Sequence, residues 1–210
     1  MTGRKGTSRR LAAGFALALA AIGLWQLGSG AWLQGKAWLA QLLIARAWAE
    51  AGDAGAAPPP WPWADTRPVA RLLVPELGID QIVLAGASGR TLAFGPGHLD
   101  GTALPGAPGL SVVSGHRDTH FRFLADLRPG ARIEVERADG ARQSYRVTAT
   151  QIVHADRARI VPAAAGTPRL LLSTCYPFDA ILPGGPLRFV VLAEAIGEGP
   201  AAVTPPAARS

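Results

Sequence analysis

The chain has 210 residues and a formal net charge of +6, a length that suits one domain with an anchor or tail. The charge is uneven: Arg4, Lys5, Arg9 and Arg10 precede the first apolar stretch, while residues 61–210 set 15 Arg against 13 acidic side chains. No phosphate-binding stripe is left, so nucleic acid is not the partner this basicity points to. A single cysteine, Cys175, rules out any disulfide within the chain.

In chain order, residues 1–10 read as a basic cytoplasmic N-terminus. Residues 11–28 (LAAGFALALAAIGLWQLG) carry no charge. At ~1.5 Å per residue they just cover a ~30 Å hydrocarbon core, so a transmembrane anchor is expected over 11–30. Positive charges before it and none directly after predict the N-terminus inside and the C-terminus outside. The rival is a cleaved signal peptide, whose apolar core would be about 7–15 residues ending at a small-residue site. Here the core is longer and Gly28-Ser29-Gly30-Ala31 is a poor site, which favours an uncleaved anchor. All six Trp (25, 32, 38, 48, 61 and 63) fall in the first 63 residues, where a membrane–water interface suits an indole. Residues 31–50 therefore read as a membrane-proximal helix, lying on the outer leaflet or packed on the folded domain. Residues 51–68 are rich in Pro, Gly and Ala and read as a linker or stalk. A compact domain is expected over 69–195 and a disordered tail over 196–210.

The domain reads as strands at 69–74, 79–84, 110–114, 132–136, 144–153, 169–173 and 187–192. In 132–136, Ile133 and Val135 alternate with Arg132, Glu134 and Glu136. Asp139-Gly140 predicts a hairpin turn between that strand and the next. Helical turns are expected at 121–127 and around 160–165, and loops over 85–109. Seven short strands with turn signals between them suggest a closed or nearly closed β-barrel.

The lone thiol is either an inert buried residue or a nucleophile. A nucleophilic cysteine needs an acid–base partner and a donor for the oxyanion. Four histidines are candidates for the first: His98, His116, His120 and His154. His116 is favoured because it directly follows a strand, in Ser114-Gly115-His116-Arg117, and Gly115 permits a sharp turn. Arg188 opens the last strand; if that strand neighbours 169–173, Arg188 and Cys175 share one end of the barrel. No cluster has metal-ligand spacing, and no cofactor is implied.

The segment 114–124 (SGHRDTHFRFL), followed by Leu171-Leu172-Ser173-Thr174-Cys175 and Arg188, resembles a sortase over residues 69–195. The family's T-L-x-T-C motif has Leu171 in place of its first Thr here, while the residues nearest the thiol are kept. Trp61-Pro62-Trp63-Ala64-Asp65, residues 36–41 (KAWLAQ) and the HRDTHF and TCYPF motifs are similar to the Gram-negative, proteobacterial class. The resemblance implies an eight-stranded sortase β-barrel with short helices, on a single-pass anchor in the inner membrane, with its catalytic domain in the periplasm. It implies a cysteine transpeptidase that cleaves an LPXTG-like sorting signal of a secreted protein and transfers that protein to an amine acceptor. Cys175 would be the nucleophile, His116 the acid and base, and Arg188 the oxyanion donor; Thr174 would lie beside the substrate. Two other readings stand: a cysteine peptidase acting mainly as a hydrolase, and a non-catalytic membrane-tethered scaffold in which Cys175 is a buried hydrophobe.

Overall fold

The computed structural model describes residues 4–51, 56–160, 166–182 and 184–197. Two compact units divide at Leu42/Leu43. The first is helical throughout its described length. Helix α1 runs unbroken over Arg4–Ala49, so the expected anchor and membrane-proximal helix are one element, and its last turns belong to the second unit. The stretch Gly14–Ala49 is long and apolar enough to cross a membrane. Trp25, Trp32 and Trp38 are exposed along it.

In the second unit, Ile44 and Ala47 on the last turns of α1 are buried. The Pro-rich stretch that follows is irregular but held down over its described part. Ala57 is buried, Trp61 packs edge-on against Phe94 with ring centroids 5.3 Å apart, and Thr66 Oγ1 donates to Ala85 O at 2.7 Å.

The remainder is a closed barrel of eight strands: β1 (Pro68–Val74), β2 (Ile79–Ala85), β3 (Gly97–His98), β4 (Leu110–Ser114), β5 (Arg132–Arg137), β6 (Arg142–His154), β7 (Arg169–Cys175) and β8 (Leu187–Ala195). Their order around the barrel is β1-β2-β3-β4-β7-β8-β6-β5. Period-2 alternation is strict in β1 and β7, where every second residue is buried, and the inward set (Ala70, Leu72, Val74, Leu170, Leu172) joins Val113, Ile133, Val135, Tyr145 and Val191 in one core. The β5–β6 hairpin closes with Gly140 at φ +79°, which suits glycine.

Seven of the eight strands coincide with the segments expected to be strands. The eighth, β3, is only two residues long and lies inside the stretch expected to be loop, as does the short helix α2 (Gly89–Leu92). Two residues show no periodicity; β3 exists because β2 and β4 offer it edges. The expected turn at 121–127 contains a 3-10 turn over Arg122–Ala125. Of the turn expected around 160–165, all but Ile160 lies outside the described residues, and so does the expected tail beyond Gly197.

Two pairings are parallel, β2 with β3 and β4 with β7; the rest are antiparallel. The β4–β7 pair decides the site. Strands separated by more than 50 residues run side by side in the same direction, so their C-terminal ends emerge together.

Candidate active site

In β7, Leu170, Leu172 and Thr174 point into the barrel, and Leu171, Ser173 and Cys175 fall in the opposite phase. The thiol is thus half-exposed at a strand end rather than sealed in the core. Across the antiparallel β7–β8 ladder, Cys175 pairs directly with Arg188. Directly paired residues share a face of the sheet, so the guanidinium-bearing residue and the thiol are nearest neighbours there.

On the other side of β7, Ser114 of β4 pairs with Ser173. His116 and Cys175 each lie two residues beyond that pair. The ladder continues one step past it: Gly115 N–H donates to Ser173 O at 3.1 Å. Thr174 Oγ1 then donates to Gly115 O at 2.7 Å, and Thr174 is only 2% exposed. His116 just past the end of β4, Cys175 at the end of β7 and Arg188 near the start of β8 therefore lie at one rim of the barrel, on or beside three adjacent strands. The parallel β4–β7 pairing brings the chain just past β4, where His116 lies, alongside the end of β7 that carries Cys175.

Gly115 is required for a different reason from a sharp turn. Its φ is not positive, but a Cβ there would sit 2.7 Å from Phe121 Cγ. The fully buried Phe121 ring lies on the glycine, and Phe121 N–H closes the turn onto His116 O at 2.9 Å. The chain between, from His116 to His120, is thereby looped out. His116 is exposed, between the buried Gly115 and the buried Arg117.

Arg188 is half-buried. Its Nη1 donates to Gly185 O at 2.7 Å and to Leu187 O at 2.9 Å. It forms no ion pair with any acidic side chain among the described residues. Its positive charge is therefore not offset by a neighbouring carboxylate.

The other histidines are placed elsewhere. His98 sits in β3, buried, with Nε2 2.9 Å from Ala103 O and 3.0 Å from Thr102 Oγ1, a structural role. His154 ends β6 opposite Leu187, beside Arg188's strand position, with Nδ1 3.6 Å from Asp156 Oδ2. His120 lies in the same turn as His116. Burial pushes its pKa below the ordinary imidazole value; the neighbouring His116 pushes the same way, and Asp118 opposes them. Gln81 of β2 holds this turn by donating Nε2–H to His120 O at 2.7 Å.

Two features of the site were not legible in the sequence. One is Arg117, only 8% exposed, whose Nη2 donates to Ala180 O at 2.8 Å and Leu182 O at 2.7 Å. The other is an aromatic cluster of Tyr176, Phe178 and Phe189 next to Cys175, with centroids 5.2–6.4 Å apart. The run Tyr176-Pro177-Phe178 offered a signal for the second; nothing distinguished Arg117 from the other arginines. Among the described residues, no three His, Cys, Asp or Glu side chains gather to hold a metal.

The fold is thus a closed eight-stranded barrel that carries Cys175, His116 and Arg188 at one rim, on or just beyond three adjacent strands. Comparison with known proteins narrows it: the family model described as the Sortase domain matches residues 72–196, and the chain belongs to the sortase family. It is 29% identical over 125 residues to Sortase D of Bacillus subtilis (strain 168), covering 60% of this chain and 62% of that protein, which is less than two thirds of that relative's length. Among solved structures it is similar to Sortase A from Corynebacterium diphtheriae, at 25% identity and a TM-score of 0.58, over 66% of this chain and 65% of the other. It is also similar to sortase C-1 from Actinomyces oris, at 31% identity and a TM-score of 0.52, over 62% and 75% of the two chains.

Proposed function

We propose that the protein is a membrane-anchored cysteine transpeptidase that cleaves an LPXTG-like sorting signal near the C-terminus of a secreted protein and passes the acyl group to an amine. The observation that carries this is the strand register: Cys175 pairs with Arg188, and His116 and Cys175 lie equally far past the Ser114–Ser173 pair. Family membership supplies the reaction type.

In the first half-reaction Cys175 Sγ attacks the Thr–Gly carbonyl carbon. The oxygen gains negative charge, which Arg188 stabilises through the guanidinium edge not spent on Gly185 and Leu187. The C–N bond breaks as His116 delivers a proton to the leaving glycine amine, leaving a thioester on Cys175. In the second half-reaction His116 takes a proton from the acceptor amine as that nitrogen attacks the thioester, and the thiolate leaves. Water can enter by the same path, so hydrolysis is the competing outcome. Thr174 contributes by holding the Gly115 carbonyl and so the start of the turn that bears His116; with its hydroxyl turned inward, any contact it makes with substrate comes from its backbone.

The charge pattern around 11–30 supports a single-pass inner-membrane anchor with the barrel in the periplasm. The HRDTHF, TCYPF and 61–65 motifs support the proteobacterial class. Partial exposure of Cys175 argues against a scaffold in which the thiol is only a core hydrophobe.

The test uses the full-length chain in detergent micelles with an LPXTG-type peptide. Cys175→Ala is expected to abolish both cleavage and transfer while the barrel still unfolds cooperatively. Mass analysis of the product with and without an added amine separates transfer from hydrolysis. Turnover by the folded alanine variant at the wild-type rate would end the proposal.

A further inference from the structure

The loop between the thiol and the oxyanion donor is held in an unusual way. Its start is fixed by the Tyr176–Phe178–Phe189 cluster and by Tyr176 N–H donating to Leu187 O at 3.1 Å. Its end is fixed by Arg188 Nη1 on Gly185 O and by Ala155 N–H on Pro186 O at 2.7 Å. The middle has no apolar anchor: Ile181 is 98% exposed and Leu182 is 78% exposed. What holds the middle is Arg117, through the carbonyls on either side of Ile181.

Arg117 is an expensive way to hold a loop. A buried guanidinium normally has a carboxylate, yet none pairs with it among the described residues, and its Nη1 is buried without a hydrogen-bond partner. Its position explains its value. It directly follows His116, and the residue before His116 is held from β7 by Thr174. The imidazole is thus carried between two long-range holds, one to the strand that bears the nucleophile and one to the loop.

Resting on the sortase reading above, we propose that Arg117 is a positioning residue of the transfer reaction: it ties the Ala180–Leu182 loop to the His116 turn, so that the loop and the imidazole take up their working positions together. Arginine suits this because one terminal nitrogen carries two hydrogens in a fixed plane, one for each carbonyl. Lysine keeps the charge but loses the fork.

The test compares Arg117→Ala and Arg117→Lys with wild type, all as full-length chains in detergent micelles. Arg117→Ala is expected to lower kcat on an LPXTG-type peptide about 10–100-fold, the scale of a misplaced catalytic group. KM should move less than about threefold, because the loss is in the reacting geometry and not in uniform binding. Arg117→Lys should recover part of kcat. Amide hydrogen exchange gives a readout that needs no substrate. In Arg117→Ala, the segments 177–182 and 116–122 should both exchange about tenfold faster, since opening of one frees the other. Faster exchange in the loop alone, or a kcat within twofold of wild type, overturns the proposal. Should the alanine variant fail to fold, the lysine variant decides: wild-type exchange in both segments together with wild-type kcat overturns it. If instead wild type fails to process the peptide and the two segments still loosen together in the variants, the coupling stands and the transpeptidase reading is what fails.

Discussion

The turn after β4 and the loop between β7 and β8 flank the same thiol but are stabilised by opposite means. The turn at 115–121 is held by packing: Phe121 is sealed in the core, Gly115 leaves room for its ring, and Thr174 and Gln81 secure backbone carbonyls on either side of the histidine. The loop after β7 packs Tyr176 and Phe178 at its start but sends Ile181 and Leu182 into solvent, and there relies on hydrogen bonds from Arg117. Packing against a core is dense and costly to disturb, whereas a few hydrogen bonds on an exposed loop open at small cost. The difference makes the loop the first of the two to open, and Arg117 is the hold through which its opening reaches the turn that bears the histidine.

That contrast is open to attack by substitution. Phe121→Ala should be the most damaging, destabilising the chain by about 3–5 kcal/mol as expected for a buried aromatic. Urea unfolding measures this, and a cost below 1 kcal/mol would mean that the turn is not held by its packing. Thr174→Val comes next. It removes the donor to the buried Gly115 carbonyl, at about 1–3 kcal/mol, and should lower kcat more than it raises KM, with Thr174→Ser restoring both. A change in KM alone would instead place the Thr174 side chain on the substrate.

A smaller effect concerns pH. Burial, and then the charge of His116, hold His120 below its ordinary pKa of 6.5 in the folded chain. The unfolded chain therefore takes up the proton at higher pH than the folded one. The stability this neutral imidazole contributes is complete above the unfolded value and is lost as pH falls through the lower, folded value. Between about pH 7.5 and pH 5 the melting temperature of wild type should fall more than that of His120→Gln; parallel curves would show that His120 is not buried as described. The smallest effect belongs to the loop: Ile181→Ser should change stability by no more than about 0.5 kcal/mol, because its side chain is in water in both states. A large loss there would erase the difference between the two regions.

Much of this protein was legible from order and composition alone. An uncharged stretch of apolar residues marks a helix fit for a membrane, and seven of eight strands show themselves by alternation or by short apolar runs between turn signals, because these signals are local. The catalytic candidates were legible only with the help of the sortase likeness. One cysteine stands out by being single, but four histidines and 15 arginines in residues 61–210 differ little in their immediate neighbours. Even the reading of Gly115 as a turn residue had the right position and the wrong cause: its neighbour Phe121 is six residues away, and only the folded turn brings the ring onto it.

What the chain determines by itself is therefore its set of parts: an apolar helix, a period-2 barrel, and a lone thiol at a strand end. The tertiary structure alone decided which parts meet. The parallel pairing of β4 with β7 brings His116 beside Cys175, the ladder to β8 sets Arg188 across from it, β3 forms because two edges await it, and Arg117 turns inward to hold carbonyls more than 60 residues away. The physical reason is range. Alternation and hydropathy follow from a residue's near neighbours, whereas strand register and buried polar contacts are set when distant segments compete to satisfy one another's backbone and exclude water.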